Sequence, residues 1–112
     1  MTEEKIRVLM VCALGMSSSL VEAATIKAAQ AAGYEFEMTS VSNQQMAIYD
    51  FDAHPVDIIL VAPQVRFKRR SIKKMADPRG IIVKDIDPVT YGMVDGEKLF
   101  ETILAAYGEK QG

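Results

Sequence analysis

The stretch IRVLMVCALGMSSSL, Ile6 to Leu20, decides how the chain is read. Ile6 to Val11 is aliphatic and nearly continuous, the signature of a strand covered on both faces, and such strands belong mainly to parallel sheets. At Cys12, the chain's only cysteine, the aliphatic run gives way to small residues, CALGMSSS, and then to a helical pattern. A strand feeding a small-residue loop that opens a helix is the first half of a βαβ unit.

Working outward, Val56 to Val61 (VDIILV) repeats the aliphatic signature, and Ile81 to Val83 is a shorter third example, bounded by Pro78, Gly80 and a turn at Asp85 to Pro88. Tyr34 to Val41 alternates more and reads as an edge strand. Helical patterns lie between. Ser17 to Ala32 sets Leu20, Val21, Ala24, Ala28 and Ala31 on one face and stops at Gly33. Asn43 to Tyr49 suggests a short helix, Arg66 to Met75 another, and Gly96 to Tyr107 a last one, with Leu99, Phe100, Ile103, Leu104 and Tyr107 as its apolar stripe. Strand and helix alternate, so the fold class is α/β, helices covering a parallel sheet through right-handed crossovers. In such sheets ligands sit outside the carboxyl ends of the strands. The first strand ends at Cys12.

With 112 residues the chain has room for one domain, 1–112, with an ordered core expected over about 5–107. Hydrophobic residues at 49% and charged residues at 25% are ordinary for a globular protein. A net charge of -2 gives no global pull toward nucleic acid or anionic membrane. One cysteine and one histidine make neither a disulfide nor a Cys/His metal cluster, so no metal and no cofactor are expected. The acidic start MTEEK and the short apolar run after it are unlike a secretory signal or a membrane span. The expectation is a cytoplasmic protein with its thiol reduced.

The CALGMSSS loop brings backbone N–H groups to a helix N-terminus, where their dipoles favour an anion. Gly15 permits a tight turn, and Ser17, Ser18 and Ser19 offer helix caps and hydroxyl donors. The same field favours a thiolate, which makes Cys12 a nucleophile with a lowered pKa and the loop a cradle for a phosphoryl group on sulfur. A lone cysteine at a strand end is equally at home as a small hydrophobe. Neither the GxxxxGK[ST] nor the GxGxxG pattern is present, which argues against a nucleotide site.

Three segments, CALGMSSSL, APQVRF at Ala62 to Phe67 and DPVTYGMVDG at Asp87 to Gly96, resemble in order and spacing the enzyme IIB components of the lactose/cellobiose (chitobiose) branch of the bacterial sugar phosphotransferase system. The resemblance spans roughly Ile6 to Tyr107. It implies a four-stranded parallel sheet of order 2-1-3-4 flanked by helices, with the loop at Ala62, Pro63 and Gln64 beside the cysteine loop. It also implies a phosphotransferase that works through phosphocysteine. Cys12 would take a phosphoryl group from a phosphohistidine of enzyme IIA and pass it to a β-linked disaccharide of cellobiose, lactose or chitobiose type held by the membrane transporter, enzyme IIC. The cradle would be Ala13, Leu14, Gly15, Met16, Ser17, Ser18 and Ser19. Pro63, Gln64, Arg66, Asp87 and Tyr91 would lie around it or on a docking surface. A monomer is expected, associated peripherally with the transporter and not inserted in the membrane. The sugar itself is not legible.

The loop also resembles that of low-molecular-weight tyrosine phosphatases, and Asp87-Pro88 resembles their general-acid segment. Their clamping arginine, however, falls at Ser18 here, and without it hydrolysis should be slow. RFKRRSIKK, Arg66 to Lys74, crowds six basic residues together. Having few stacking aromatics, it is read against nucleic acid and as either a solvated face or a steering patch for an acidic partner. His54, in DAHPVD, reads as a surface loop residue. Val65, Phe67 and Met16 are candidate apolar contacts at the site, with Tyr91 and Met93 expected against the sheet.

Overall fold

The aliphatic opening stretch forms strand β1 (Ile6–Cys12) in a computed structural model that describes residues 5–13 and 18–111. Every β1 residue but Arg7 is buried. The cause is position: β1 has β2 (Phe36–Ser42) on one side and β3 (Ile58–Val61) on the other, and β4 (Ile82–Asp85) lies beyond β3. All pairs are parallel and the order is β2-β1-β3-β4, as the resemblance implied. The register sets Cys12 opposite Ser42 and Val11 opposite Val61, so the carboxyl ends of the three strands form one edge.

The helices are α1 (Ser18–Ala31), α2 (Asn43–Ala47), α3 (Arg69–Ala76), α4 (Pro88–Gly92) and α5 (Gly96–Gln111), with 3-10 turns at Pro63–Lys68 and Asp77–Arg79. The crossovers from β1 to β2 and from β3 to β4 run in opposite directions across the sheet. Right-handed connections therefore put α1 and α3 on opposite faces. α5 joins α1 on its face, and α3 packs along β4. Ile6, Leu9, Met10, Ile58, Ile59, Leu60, Leu99 and Ile103 are fully buried between these layers.

Several boundaries differ from the sequence expectation, each for a local reason. Val56 and Asp57 precede β3 and are not part of it; Asp57 is occupied by the Arg7 backbone, whose carbonyl accepts from Asp57 N at 2.8 Å while Asp57 Oδ2 accepts from Arg7 N at 2.9 Å. The expected Arg66–Met75 helix is two pieces: Arg66–Lys68 belong to the 3-10 turn that starts at Pro63 and is kinked at Val65 (φ -122°, ψ 25°), and only Arg69–Ala76 is α-helical. The turn expected at Asp85 to Pro88 opens a helix, α4, in which Asp87 is the N-cap and Pro88 the first residue.

The buried stripe of α1 is Val21, Thr25 and Ala29, and Leu20 is 60% exposed, contrary to expectation. Thr25 is admitted because its hydroxyl donates to the Val21 carbonyl at 2.7 Å, leaving no polar group unsatisfied. Ala24 and Ala28 turn instead toward the start of α5, where Gly96 meets the α1 backbone: a β-carbon at Gly96 would overlap the Ala24 carbonyl. Met93, expected against the sheet, is 73% exposed.

Candidate functional site

Cys12 is the last residue of β1, and its side chain is 5% exposed. The thiol donates to the Val41 carbonyl of β2, with sulfur and oxygen 3.5 Å apart. Next along β2, Ser42 caps α2: its hydroxyl accepts from Gln45 N at 3.1 Å while Gln45 Oε1 accepts from Ser42 N at 2.8 Å. This reciprocal box ends β2 beside the sulfur and turns the chain away from it. Val41 had no role in the sequence reading. The parallel register that brings its carbonyl to Cys12 is a tertiary fact with no local signature.

On the other side of β1, Ala62 N donates to the Val11 carbonyl at 2.9 Å, which starts the APQ segment beside the end of β1; the cysteine loop it was expected to adjoin lies, past Ala13, outside the described residues. Pro63 starts the 3-10 turn, whose missing N–H costs nothing there, and Gln64 follows half-buried. From farther across the sheet, Ile86 N donates to the Val61 carbonyl at 2.9 Å, extending the β3–β4 ladder to the carboxyl edge. α4 then brings in Tyr91, 5% exposed, as the sequence reading anticipated.

Among the described residues the Tyr91 hydroxyl and Gln64 Oε1 are both buried without a hydrogen-bond partner. Burial raises the Tyr91 hydroxyl above its ordinary value of 10.0; a charge on Cys12 raises it further, and the Gln64 side chain offsets part of the rise. The three side chains therefore share one neighbourhood. Gln64 and Tyr91 interact at a distance without reaching the geometry of a bond, and both atoms stay unpaired. Buried polar groups are nearly always satisfied, so a donor hydroxyl and an acceptor oxygen that lack partners among the described residues make the surroundings of this thiol a polar pocket.

The remaining expected residues divide. Ala13 is half-buried against the core and Ser19 is exposed at the start of α1. Leu14, Gly15, Met16, Ser17 and the Ser18 side chain lie outside the described residues. Asp87 is a cap: its Oδ2 accepts from Thr90 N at 3.0 Å and from the Thr90 hydroxyl at 3.1 Å. The Thr90 backbone bond leads in holding this carboxyl below its ordinary 3.8, against a smaller desolvation effect. A carboxylate so held is deprotonated near neutrality and is poorly suited to the general-acid role of the phosphatase comparison. Arg66 is exposed, Phe67 is 73% exposed, Val65 is buried in the core and His54 is exposed. Among the described residues no group of His, Cys, Asp and Glu is placed to hold a metal ion. No helix among them is long and apolar enough to cross a membrane.

Residues 7–102 match the family described as "PTS system, Lactose/Cellobiose specific IIB subunit". The chain is 34% identical over 99 residues, 88% of its length and 93% of the relative's, to the PTS system oligo-beta-mannoside-specific EIIB component of Bacillus subtilis (strain 168). It is 31% identical over 90 residues, 79% of its length and 83% of the relative's, to the galactose-specific EIIB component of Lactococcus lactis subsp. cremoris (strain MG1363). In structure it is similar to the cellobiose-specific phosphotransferase IIB component from Borrelia burgdorferi, with a TM-score of 0.74, 26% identity, and coverage of 96% of this chain and 95% of that one.

Proposed function

We propose, since this chain belongs to the lactose/cellobiose-specific IIB subunit family of the sugar phosphotransferase system, that it is a phosphocarrier whose reacting atom is the Cys12 sulfur. The observation that carries this reading is the pair of orphaned polar groups, Tyr91 hydroxyl and Gln64 Oε1, beside that sulfur. Turning the Gln64 amide over presents its NH2 to the Tyr91 oxygen and leaves the phenol proton free for an oxygen on phosphorus. A tyrosine whose pKa is raised keeps that proton at every pH at which the carrier works.

The reaction divides into two displacements. First the thiolate attacks the phosphorus of a phosphohistidine on enzyme IIA; the S–P bond forms, the N–P bond breaks, and the imidazole nitrogen keeps the electron pair and takes a proton. Then a hydroxyl of the sugar held by enzyme IIC attacks the same phosphorus; the O–P bond forms, the S–P bond breaks, the Cys12 sulfur leaves with the electron pair as thiolate, and the hydroxyl proton is lost to a base or to solvent. In both steps the protein's share is positioning and charge stabilisation. Residues 13–19 are the proposed main-chain and hydroxyl cradle. Loading requires the sulfur to exchange the Val41 carbonyl for that cradle, since in the unloaded chain the thiol donates to Val41.

The sugar is a property we assign to the membrane partner. Oligo-beta-mannoside, galactose and cellobiose all appear in the names of similar proteins, which is consistent with a carrier that reads no sugar itself. The test is to incubate the chain with phosphorylated enzyme IIA and follow intact mass and phosphorus NMR. One phosphoryl group on sulfur is expected in the wild type and none in Cys12→Ser. Label on another residue, or no label, refutes the assignment. An aryl phosphate should not be turned over at rates in the usual enzymatic range of about 1–1000 per second; turnover at such rates would favour a phosphohydrolase.

A further inference from the structure

The basic segment has no part in the chemistry above, and its place in the fold gives it another. It begins in the 3-10 turn that leaves β3 just after Gln64, and it continues through α3 into its last turn. Arg69 sits with Nε 3.1 Å from Asp85 Oδ1, the last residue of β4, which fixes this turn at the carboxyl edge of the sheet, the edge that holds Cys12. That contact is an ion pair without hydrogen-bond angles, since Arg69 Nε otherwise lacks a partner. Lower on α3, Lys73 pairs with Asp77 at 3.0 Å. Arg66, Lys68, Arg70 and Lys74 make no ion pair among the described residues. Phe67 stands 73% exposed among them, and Arg66, Phe67, Arg69, Arg70 and Lys73 line one open groove of about 580 Å³.

We propose that this groove, at the carboxyl edge of the sheet where β1 ends in Cys12, docks an acidic surface of the protein that donates the phosphoryl group, with Phe67 as the apolar anchor and Arg66, Lys68 and Arg70 as the charge that draws the donor in. The proposal rests on the carrier reading. Segment 66–74 holds six of the chain's thirteen Lys and Arg and no carboxylate, so it is a positive island on a chain of net charge -2. Solvating four unpaired cations requires no exposed phenylalanine in their midst; an aromatic anchor with a basic rim is the composition of a protein interface. A lipid surface is flat and is poorly matched by a groove whose lining Arg69 and Lys73 already carry Asp85 and Asp77.

Charge also gives the docking a direction. Before transfer the phosphoryl dianion is on the donor and the island faces it. After transfer the dianion is on Cys12, on the island's own side, so the donor has lost negative charge and the carrier has lost positive charge. Attraction falls at the moment the donor has to leave.

The test compares wild type, Arg66→Glu/Arg70→Glu and Phe67→Ala, each checked for an unchanged circular-dichroism melt, for their rate of loading by the phosphorylated donor. The charge-reversed protein should load at least about tenfold more slowly at low salt, with the gap closing as the screening length shrinks toward about 3 Å near 1 M salt. Phe67→Ala should be slower by about tenfold, the loss of one anchor, at both salts. Wild-type rates in both variants overturn the proposal, as does an unchanged loading rate with a loss confined to binding of phosphatidylglycerol vesicles. Should the wild type accept no phosphoryl group at all, the carrier reading fails separately. Docking is then decided by titrating unphosphorylated donor into the Cys12→Ser chain with and without the two sets of changes: salt-dependent binding lost in the variants sustains it, and unchanged binding refutes it.

Discussion

Tyr91 is costly to the unloaded protein and useful to the loaded one. A buried hydroxyl with no partner forfeits about 1–3 kcal/mol relative to one that is paired or removed, and Tyr91→Phe deletes it at nearly constant shape. The unloaded variant should therefore be at least as stable as the wild type in urea. Its loading by phosphorylated donor should fall by about tenfold to a hundredfold, the value of a hydrogen bond to a charged oxygen. The pH dependence follows from the raised pKa. A phenol harder to ionise in the folded state contributes stability that is whole below the ordinary value of 10.0 and is lost as pH rises through the folded value. The variant should show a shallower alkaline limb. A steeper limb, or undiminished loading with lower stability, would make Tyr91 a packing residue only. Aromatic side chain, strand and loop were all expected near the sulfur from sequence; the missing partners were not. Satisfaction depends on which atoms other segments supply, and a single chain of letters does not state it.

At the scale of elements, the contact between α1 and α5 fixes how the helix that opens at the cysteine loop sits on the sheet. Gly96 makes the approach possible, because no β-carbon fits between its α-carbon and the Ala24 carbonyl and Thr25 amide. Gly96→Ala should destabilise by about 1–3 kcal/mol, as overpacking does, lowering Tm by several degrees. Gly92→Ala is the control: nothing lies within 4 Å of a β-carbon there, and the melt should stay or rise slightly. Equal melts for the two would mean that α5 shifts at no cost. Two elements of the site carry cap signals in the sequence, and only one of them predicts a helix. Ser42 with Gln45 spells a capping box before Asn43–Ala47, and that helix was expected. Asp87-Pro88 with Thr90 spells an N-cap and an N1 proline equally well, yet it read as a turn because five residues offer no period to recognise.

The whole molecule joins two buried interior strands to short arms at their carboxyl edge. The strands are β1 and β3, whose aliphatic sequence showed both their burial and the α/β class; their neighbours and order came from the family resemblance, since periodicity does not name a partner strand. Cys12 ends one of these strands and Ala62 follows the other, each held by bonds to the adjacent backbone. Gln64 and Tyr91 stand on a 3-10 turn and a five-residue helix, each too short to be stable alone. Local opening should follow that division. In native-state hydrogen exchange, Val8–Val11 and Ile58–Val61 should exchange only through global unfolding, while peptides covering 63–68 and 88–93 should exchange through smaller openings. Phosphorylation of Cys12 supplies an acceptor oxygen for the Tyr91 hydroxyl, and the Gln64 NH2 turned onto the Tyr91 oxygen ties the second arm to it, so protection should rise in those two peptides and stay constant in the central strands. Exchange that quickens in 63–68 and 88–93 on loading, or that changes mainly in β1 and β3, would separate the two arms from the phosphoryl group and return the orphaned pair to unexplained strain.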